Sequence, residues 1–225
     1  MGSTTRRLSM FDLDNTLLAG DSDYGWAQFL IEVGVLDAAT YEARNAAFFA
    51  DYQAGRLDIH AFLDFQLRPL AEHDVSELNA WRERFLDEKI RPMVLPAARA
   101  VVRERIDAGD LVAVVTSTNS FVTRPIARMF GIDELVATEL EMVNGRYTAR
   151  VTGEPCFRAG KLRCVGAWLA GMGHVLSDFR ESWFFSDSHN DLALLEAVTK
   201  PVAVDPDPEL ERHAAARGWE TISWR

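Results

Sequence analysis

The run Leu111-Val112-Ala113-Val114-Val115 constrains this chain more than any other segment. It is continuously apolar, rich in β-branched residues and free of polar alternation. Such a run needs a strand covered on both faces. Shorter runs of the same kind recur at Leu8-Ser9-Met10-Phe11, Trp183-Phe184-Phe185 and Pro201-Val202-Ala203-Val204. Between them the patterning predicts helices over 97–108, 120–130 and 158–171, another from about 190, and a last one ending at Gly218. Strands alternating with helices predict an α/β fold: an open, mostly parallel sheet with helices on both faces. Asn144-Gly145, between residues 139–143 and 146–151, predicts a hairpin.

Residues from about 22 to about 91 break this rhythm. Trp26, Phe29, Leu30 and Val33 recur at helical spacing, followed by Phe48, Phe49 and Tyr52, then Phe62 and Phe65, then Leu78, Trp81 and Phe85. The stretch reads as a helical bundle inserted after the first strand, with its aromatic stripe as core. We therefore divide the chain into an α/β core, 1–16 and 93–225, and a helical insertion, 17–92.

Composition narrows the partners. The chain has 34 acidic and 24 basic residues, a net charge of −10. A field of that sign repels nucleic acid and anionic membranes, so neither is expected as a partner. An anionic substrate would need local donors and a cation. Cys156 and Cys164 form no CxxC pair, which suits a reducing cytoplasm. No apolar run is long enough to span a bilayer, and Met1 to Arg7 lacks the features of a signal peptide. A cytoplasmic protein is expected.

Ligands in open α/β sheets sit beyond the carboxyl ends of the strands. Three such ends carry chemistry: Asp12 and Asp14; Thr116-Ser117-Thr118-Asn119; and Ser186-Asp187-Ser188-His189-Asn190-Asp191. Lys161 lies near the start of an intervening helix. Asp12, Asp14, Asp187 and Asp191 in one mouth would raise one another's pKa unless a cation were present. A hard divalent ion with oxygen ligands resolves this, and Mg2+ is the usual one beside phosphate. Thr116, with the N–H groups of a following helix start, would seat a phosphate.

With these motifs in this order, the chain resembles the haloacid dehalogenase (HAD) superfamily, near phosphoserine phosphatase in the subclass with a helical (C1-type) cap. The residues that carry the resemblance are Asp12-Leu13-Asp14-Asn15-Thr16, Thr116, Lys161 and Asp187 to Asp191. The resemblance implies a HAD-like fold and a Mg2+-dependent phosphatase acting on a small phosphate monoester. Asp12 would be the nucleophile that forms an aspartyl-phosphate, and Asp14 the general acid/base. The metal would be held by Asp12, the Asp14 carbonyl and Asp187, with Asp191 acting directly or through water. Thr116, Ser117 and Lys161 would hold the phosphoryl group, and Asn190 would orient its loop. A phosphomutase or phosphotransferase on the same fold, or a non-enzymatic phosphate-binding regulatory module, are the alternatives.

The substrate would be chosen by the insertion. Phosphoserine phosphatases place an acid shortly after the first motif to meet the substrate amine, and Asp21 and Asp23 lie there. At the place of their carboxylate-binding arginine an ungapped alignment puts Asp64, with Arg68 one turn on. The expectation is a monoester carrying an amine and no carboxylate, such as histidinol phosphate.

Overall fold

A computed structural model of the chain describes residues 6–225. Residues 1–5, which begin the first core segment and most of the stretch read as lacking a signal peptide, lie outside the described residues.

β1 (Arg7–Phe11) is followed by a tight helical turn over Leu13–Leu17 and then by the insertion: α1 (Ser22–Glu32), α2 (Ala38–Gln53), α3 (Ile59–Gln66), α4 (Arg68–Glu72), α5 (Val75–Phe85) and α6 (Arg91–Met93). Aspartates start four of these helices, Asp74 being the one at α5. Asp21, Asp37 and Asp58 each accept backbone N–H groups of the first turn, which satisfies donors that a helix start otherwise leaves open.

The alternating part follows as α7 (Pro96–Asp107), β2 (Leu111–Asn119), α8 (Ser120–Met129), β3 (Glu134–Thr138), the hairpin β4 (Leu140–Val143) and β5 (Arg146–Val151), α9 (Ala159–Gly171), β6 (Glu181–Ser186), α10 (Leu192–Leu195), β7 (Lys200–Val204), α11 (Pro208–Arg217) and β8 (Glu220–Ile222). The sheet order is β3-β2-β1-β6-β7-β8, and every neighbouring pair is parallel. The predicted α/β sheet and helical insertion are thus both present. Three details differ. β2 runs on to Asn119, because its register shifts between Val115 and Asn119 and pairing with β3 resumes beyond the bulge. The helix expected from about 190 is one turn of 189–191 plus the short α10. β3 and β8 were not anticipated, being short edge-side strands with little periodicity.

Side chains alternate across the sheet, so β1 feeds two cores. Leu8 and Met10 pack with Phe184, Val165, Leu169 and Leu210 on one face. Phe11 packs with Val114, Phe185, Val102 and Ile126 on the other. The second cluster continues without a break into Trp26, Phe29 and Phe85 of the insertion. Trp26 meets Phe85 at 5.3 Å and Phe121 of α8 at 5.9 Å between centroids, both edge-to-face. Among the described residues no helix is long and apolar enough to cross a membrane.

Candidate active site

β2, β1 and β6 are neighbours, so their carboxyl ends open side by side. Asp12 follows β1, Asp187 follows β6, and the bulged end of β2 carries Thr116, Ser117 and Thr118. The Asp12 N–H extends the ladder to the Phe185 carbonyl at 2.9 Å, which fixes where its side chain starts.

Asp12 is almost fully buried, at 6% exposure. Its Oδ1 accepts from Lys161 Nζ at 2.8 Å, and Lys161 also donates to Asp191 at 2.7 Å. The Thr16 hydroxyl lies 3.2 Å from Asp12 Oδ2 and 3.0 Å from Asp187 Oδ1, and accepts the Asp187 N–H at 3.0 Å. Thr16 therefore ties the first strand end to the third. Asp14 is held at both oxygens: the Ser22 N–H donates to Oδ1 at 2.6 Å, and the Thr118 hydroxyl to Oδ2 at 2.8 Å. Thr116 does not cap α8, since Asn119 does that; its hydroxyl accepts the Thr118 N–H at 3.2 Å.

Burial dominates the electrostatics. It pushes Asp12 up to about 7, with Lys161 pulling down and Asp191 and Asp14 pushing further up. It pushes Asp14 up to about 6, aided by Asp21 and opposed by the bonds from Ser22 and Thr118. Burial, then Asp12 and Asp191, hold Asp187 well above the usual carboxylate range. For Lys161 burial works against the charge, but Asp12 and Asp191 more than offset it and lift the ammonium above the usual lysine range. Lys161 stays charged, and it is shared between two acids.

That imbalance bears on a metal. Among the described residues no three His, Cys, Asp or Glu side chains form a ready cluster. Nevertheless the donors suit a hard cation. Asp187 has one hydroxyl partner for its side chain, the Thr16 Oγ1, and Asp12 and Asp187 are linked through it. The two carboxylates are oxygen donors of the kind a Mg2+ ion takes. Both Asp191 oxygens lie with Lys161, and Ser186 donates to Oδ2 at 2.7 Å.

A cavity opens in front of Asp12 and Asp14 and runs between sheet and insertion. Asp21, Asp23, Thr116 and Ser117 line it, whereas Lys161, Asp187, Asp191 and Asn190 are not among its lining residues. Asp64 and Arg68 do not line it. Both are exposed, so the structure does not bring them to the cavity where the sequence reading put them. The reason is helical phase: Ile59, Phe62 and Gln66 point into the cavity, and residue 64 lies on the opposite side of α3. Part of the aromatic stripe read as core also belongs here. Tyr24, Phe48, Phe49, Tyr52 and Phe62 line the cavity. Their spacing with Asn45, at positions 45, 49 and 52, was the available signal.

Several functional contacts were not anticipated. Asn190 Nδ2 donates to the Tyr52 carbonyl at 3.2 Å, and the Tyr52 hydroxyl lies 3.4 Å from Ser188 Oγ. Arg158 donates to Asn190 Oδ1 at 3.1 Å and, through its terminal nitrogen, to the Gly55 carbonyl. It does so from a left-handed backbone, φ 52°, a conformation that costs energy in a non-glycine residue and clusters at functional sites. Gly55 also needs to be glycine, because its φ is +66° and a Cβ would lie 2.7 Å from His189 Nε2. The end of α2 is thereby strapped to the acidic loop.

The same fold recurs in known proteins. The family model for haloacid dehalogenase-like hydrolases matches residues 10–196. The chain is 44% identical to a histidinol-phosphatase from Neisseria meningitidis, over 98% of this chain and 100% of that one. A crystal structure of a protein of unknown function from Bordetella pertussis superposes with TM-score 0.93 at 51% identity, covering 98% of this chain and 100% of that chain. A phosphoserine phosphatase holding a phospho-aspartyl intermediate analogue shares the fold, with TM-score 0.69 at 19% identity and coverage of 98% and 94%. The strand-end acids, the buried lysine and the inserted helices thus lie in a chain that belongs to the haloacid dehalogenase-like hydrolase family, as an enzyme of its phosphatase branch.

Proposed function

We propose that this enzyme hydrolyses a small phosphate monoester through an aspartyl-phosphate on Asp12, with Mg2+ bound. The observation that carries the reading is the placement of Asp12: a buried carboxylate at a strand end, gripped by Lys161 and linked through Thr16 to Asp187, with Asp14 held beside it. We assign residues 17–92 as a cap over a core of 1–16 and 93–225; the strap from Arg158 and Asn190 to α2 supports this.

In the first step an Asp12 oxygen attacks phosphorus and the ester P–O bond breaks. Asp14, with a pKa near 6, holds a proton in a useful fraction of molecules near neutrality and gives it to the departing alkoxide. In the second step Asp14 takes a proton from water, which attacks phosphorus, releases inorganic phosphate and restores Asp12. Lys161, the Thr116 hydroxyl and the Ser117 N–H bind the phosphoryl oxygens. Asp12, Asp187 and the Asp14 carbonyl would hold the cation, while Asp191 holds Lys161 in place and accepts from Ser186. When bound, such an ion would neutralise phosphoryl charge and favour the ionised form of Asp12, which burial opposes.

Four aspartates and no lysine or arginine are among the cavity-lining residues. A substrate carboxylate finds no cation there, whereas an ammonium finds Asp21. The alcohol is therefore an amino alcohol without a carboxylate, and the kinship to a histidinol-phosphatase supports histidinol phosphate as the member to try first. The two free thiols suit a cytoplasmic enzyme. A panel of phosphorylated metabolites, assayed for phosphate release with and without Mg2+, tests the reading. Phosphate released one-for-one from amino-alcohol phosphates is the expected result. Turnover with no metal of any kind, or preference for phosphoserine, would contradict it; transfer to an added alcohol would favour a phosphotransferase.

A further inference from the structure

One acceptor in the cavity is left unused. Asp23, at the start of α1, is 8% exposed and lines the cavity, and its Oδ1 is buried without a hydrogen-bond partner. Its neighbours do not fill that role. Asp21 Oδ1 is already engaged by the N–H groups of Asp23 and Tyr24, at 2.9 and 2.8 Å. Gln66 Nε2 donates to the Asp23 backbone carbonyl and to Asn45 Oδ1, both at 3.4 Å, and Asn45 Nδ2 donates to the Tyr24 carbonyl at 3.2 Å. These amides fix the Asp23 backbone and leave its carboxylate facing the cavity. A buried acceptor without a partner is costly, and no protein donor relieves it.

The surroundings say what kind of donor would. Aromatic pairs flank the cavity: Tyr24 with Phe49 at 5.2 Å, Phe48 with Phe62 at 5.4 Å, and Tyr52 with Phe157 at 6.3 Å between centroids. Ring faces of this kind receive a flat ring or a cation. An acid among aromatics therefore fits an N–H carried on a flat heteroaromatic ring.

We propose that Asp23 is a specificity-determining residue whose free carboxylate oxygen takes the ring N–H of a heteroaromatic group on the substrate alcohol. This rests on the phosphatase reading and adds a second polar anchor to it: Asp21 meets the ammonium, Asp23 the ring. The substrate class is then a phosphate monoester of an amino alcohol bearing an N–H heteroaromatic ring, of which imidazole is the smallest common example.

The test compares kcat/KM for L-histidinol phosphate, O-phosphoethanolamine and p-nitrophenyl phosphate in wild type, Asp23→Leu and Asp23→Asn. Sites built to bond an N–H or O–H lose heavily when the pairing is removed. The ratio of histidinol phosphate to phosphoethanolamine should fall by roughly 30-fold or more in Asp23→Leu. It should fall less in Asp23→Asn, whose amide oxygen still accepts. An unchanged ratio, with all substrates slowed alike, would assign Asp23 a structural role and overturn the proposal. So would a wild type that turns over phosphoethanolamine as well as histidinol phosphate. If the wild type turned over none of the three, the phosphatase reading itself would fall. Thermal melts check folding, and Asp23→Asn alone decides the matter if Asp23→Leu does not fold.

Discussion

Replacing Lys161 by Met isolates the electrostatics of the site from its packing. The two side chains are similar in length and the methionine is apolar, so the buried volume is kept. What is lost is the cation shared by Asp12 at 2.8 Å and Asp191 at 2.7 Å, in a site where Lys161 is 2% exposed, Asp12 6% and Asp191 2%. Removing one partner of a buried pair costs about 3–5 kcal/mol, because the remaining charge is stranded away from water. The cost depends on pH in a definite direction. Asp12 already has its folded pKa raised to about 7. An acid raised in this way binds more protons in the folded state, so it lowers stability as pH rises from its unfolded value through its folded one. Without Lys161 the folded value rises further. The variant should therefore lose about 4 kcal/mol at pH 8, on the scale of breaking a buried pair. At pH 5, where Asp12 is protonated, it should lose roughly half as much or less. For a chain this size the pH 8 loss corresponds to roughly a 10 °C drop in Tm. Urea unfolding followed by circular dichroism, without divalent cations, measures both. A loss under about 1 kcal/mol at pH 8 would refute the claim that Lys161 compensates buried charge. Equal losses at the two pH values would refute the stated cause.

Asp12→Asn should abolish steady-state phosphate release while leaving Tm unchanged or higher, since it removes the nucleophile together with a buried acid; measurable turnover in a clean preparation would contradict the assignment. Thr118→Val removes the hydroxyl that donates to Asp14 Oδ2 at 2.8 Å. It should lower kcat more for alkyl phosphates, whose leaving group needs a proton, than for p-nitrophenyl phosphate, and a pH–rate profile should show the Asp14 limb moved upward. The wild type without metal should lose stability as pH rises from about 4 to about 7, because Asp12 and Asp14 are raised to about 7 and about 6. Mg2+ at pH 8 should recover it, seen as a Tm that rises with Mg2+ concentration and falls again on adding a chelator.

Some of this site could be read along the chain. Asp12, Asp14, Thr116 and Asp187 each sit just beyond an apolar strand run, so local pattern alone marks them. Lys161 needed the family resemblance, because a lysine near a helix start is ordinary by itself; burial between Asp12 and Asp191 is a fact of packing. The insertion was legible as helices, and illegible as a surface. Alignment by position ignores helical phase, and Gln66, two residues on from Asp64, faces the cavity. Tyr52, Arg158 and Asn190 come from three separate segments and meet only when the end of α2 folds back onto the acidic loop.

The amino-acid sequence by itself determined the strand runs, the acids that end them and the helical insertion, since each depends on residues a few positions apart and on their solubility in water or core. Only the tertiary structure decided the order of strands that puts β1 between β2 and β6. It alone decided that Lys161 is shared by two acids and that Asp23 faces an aromatic cavity with no partner. Those are properties of side chains distant in sequence, and they exist only once burial has removed the water that would otherwise separate them.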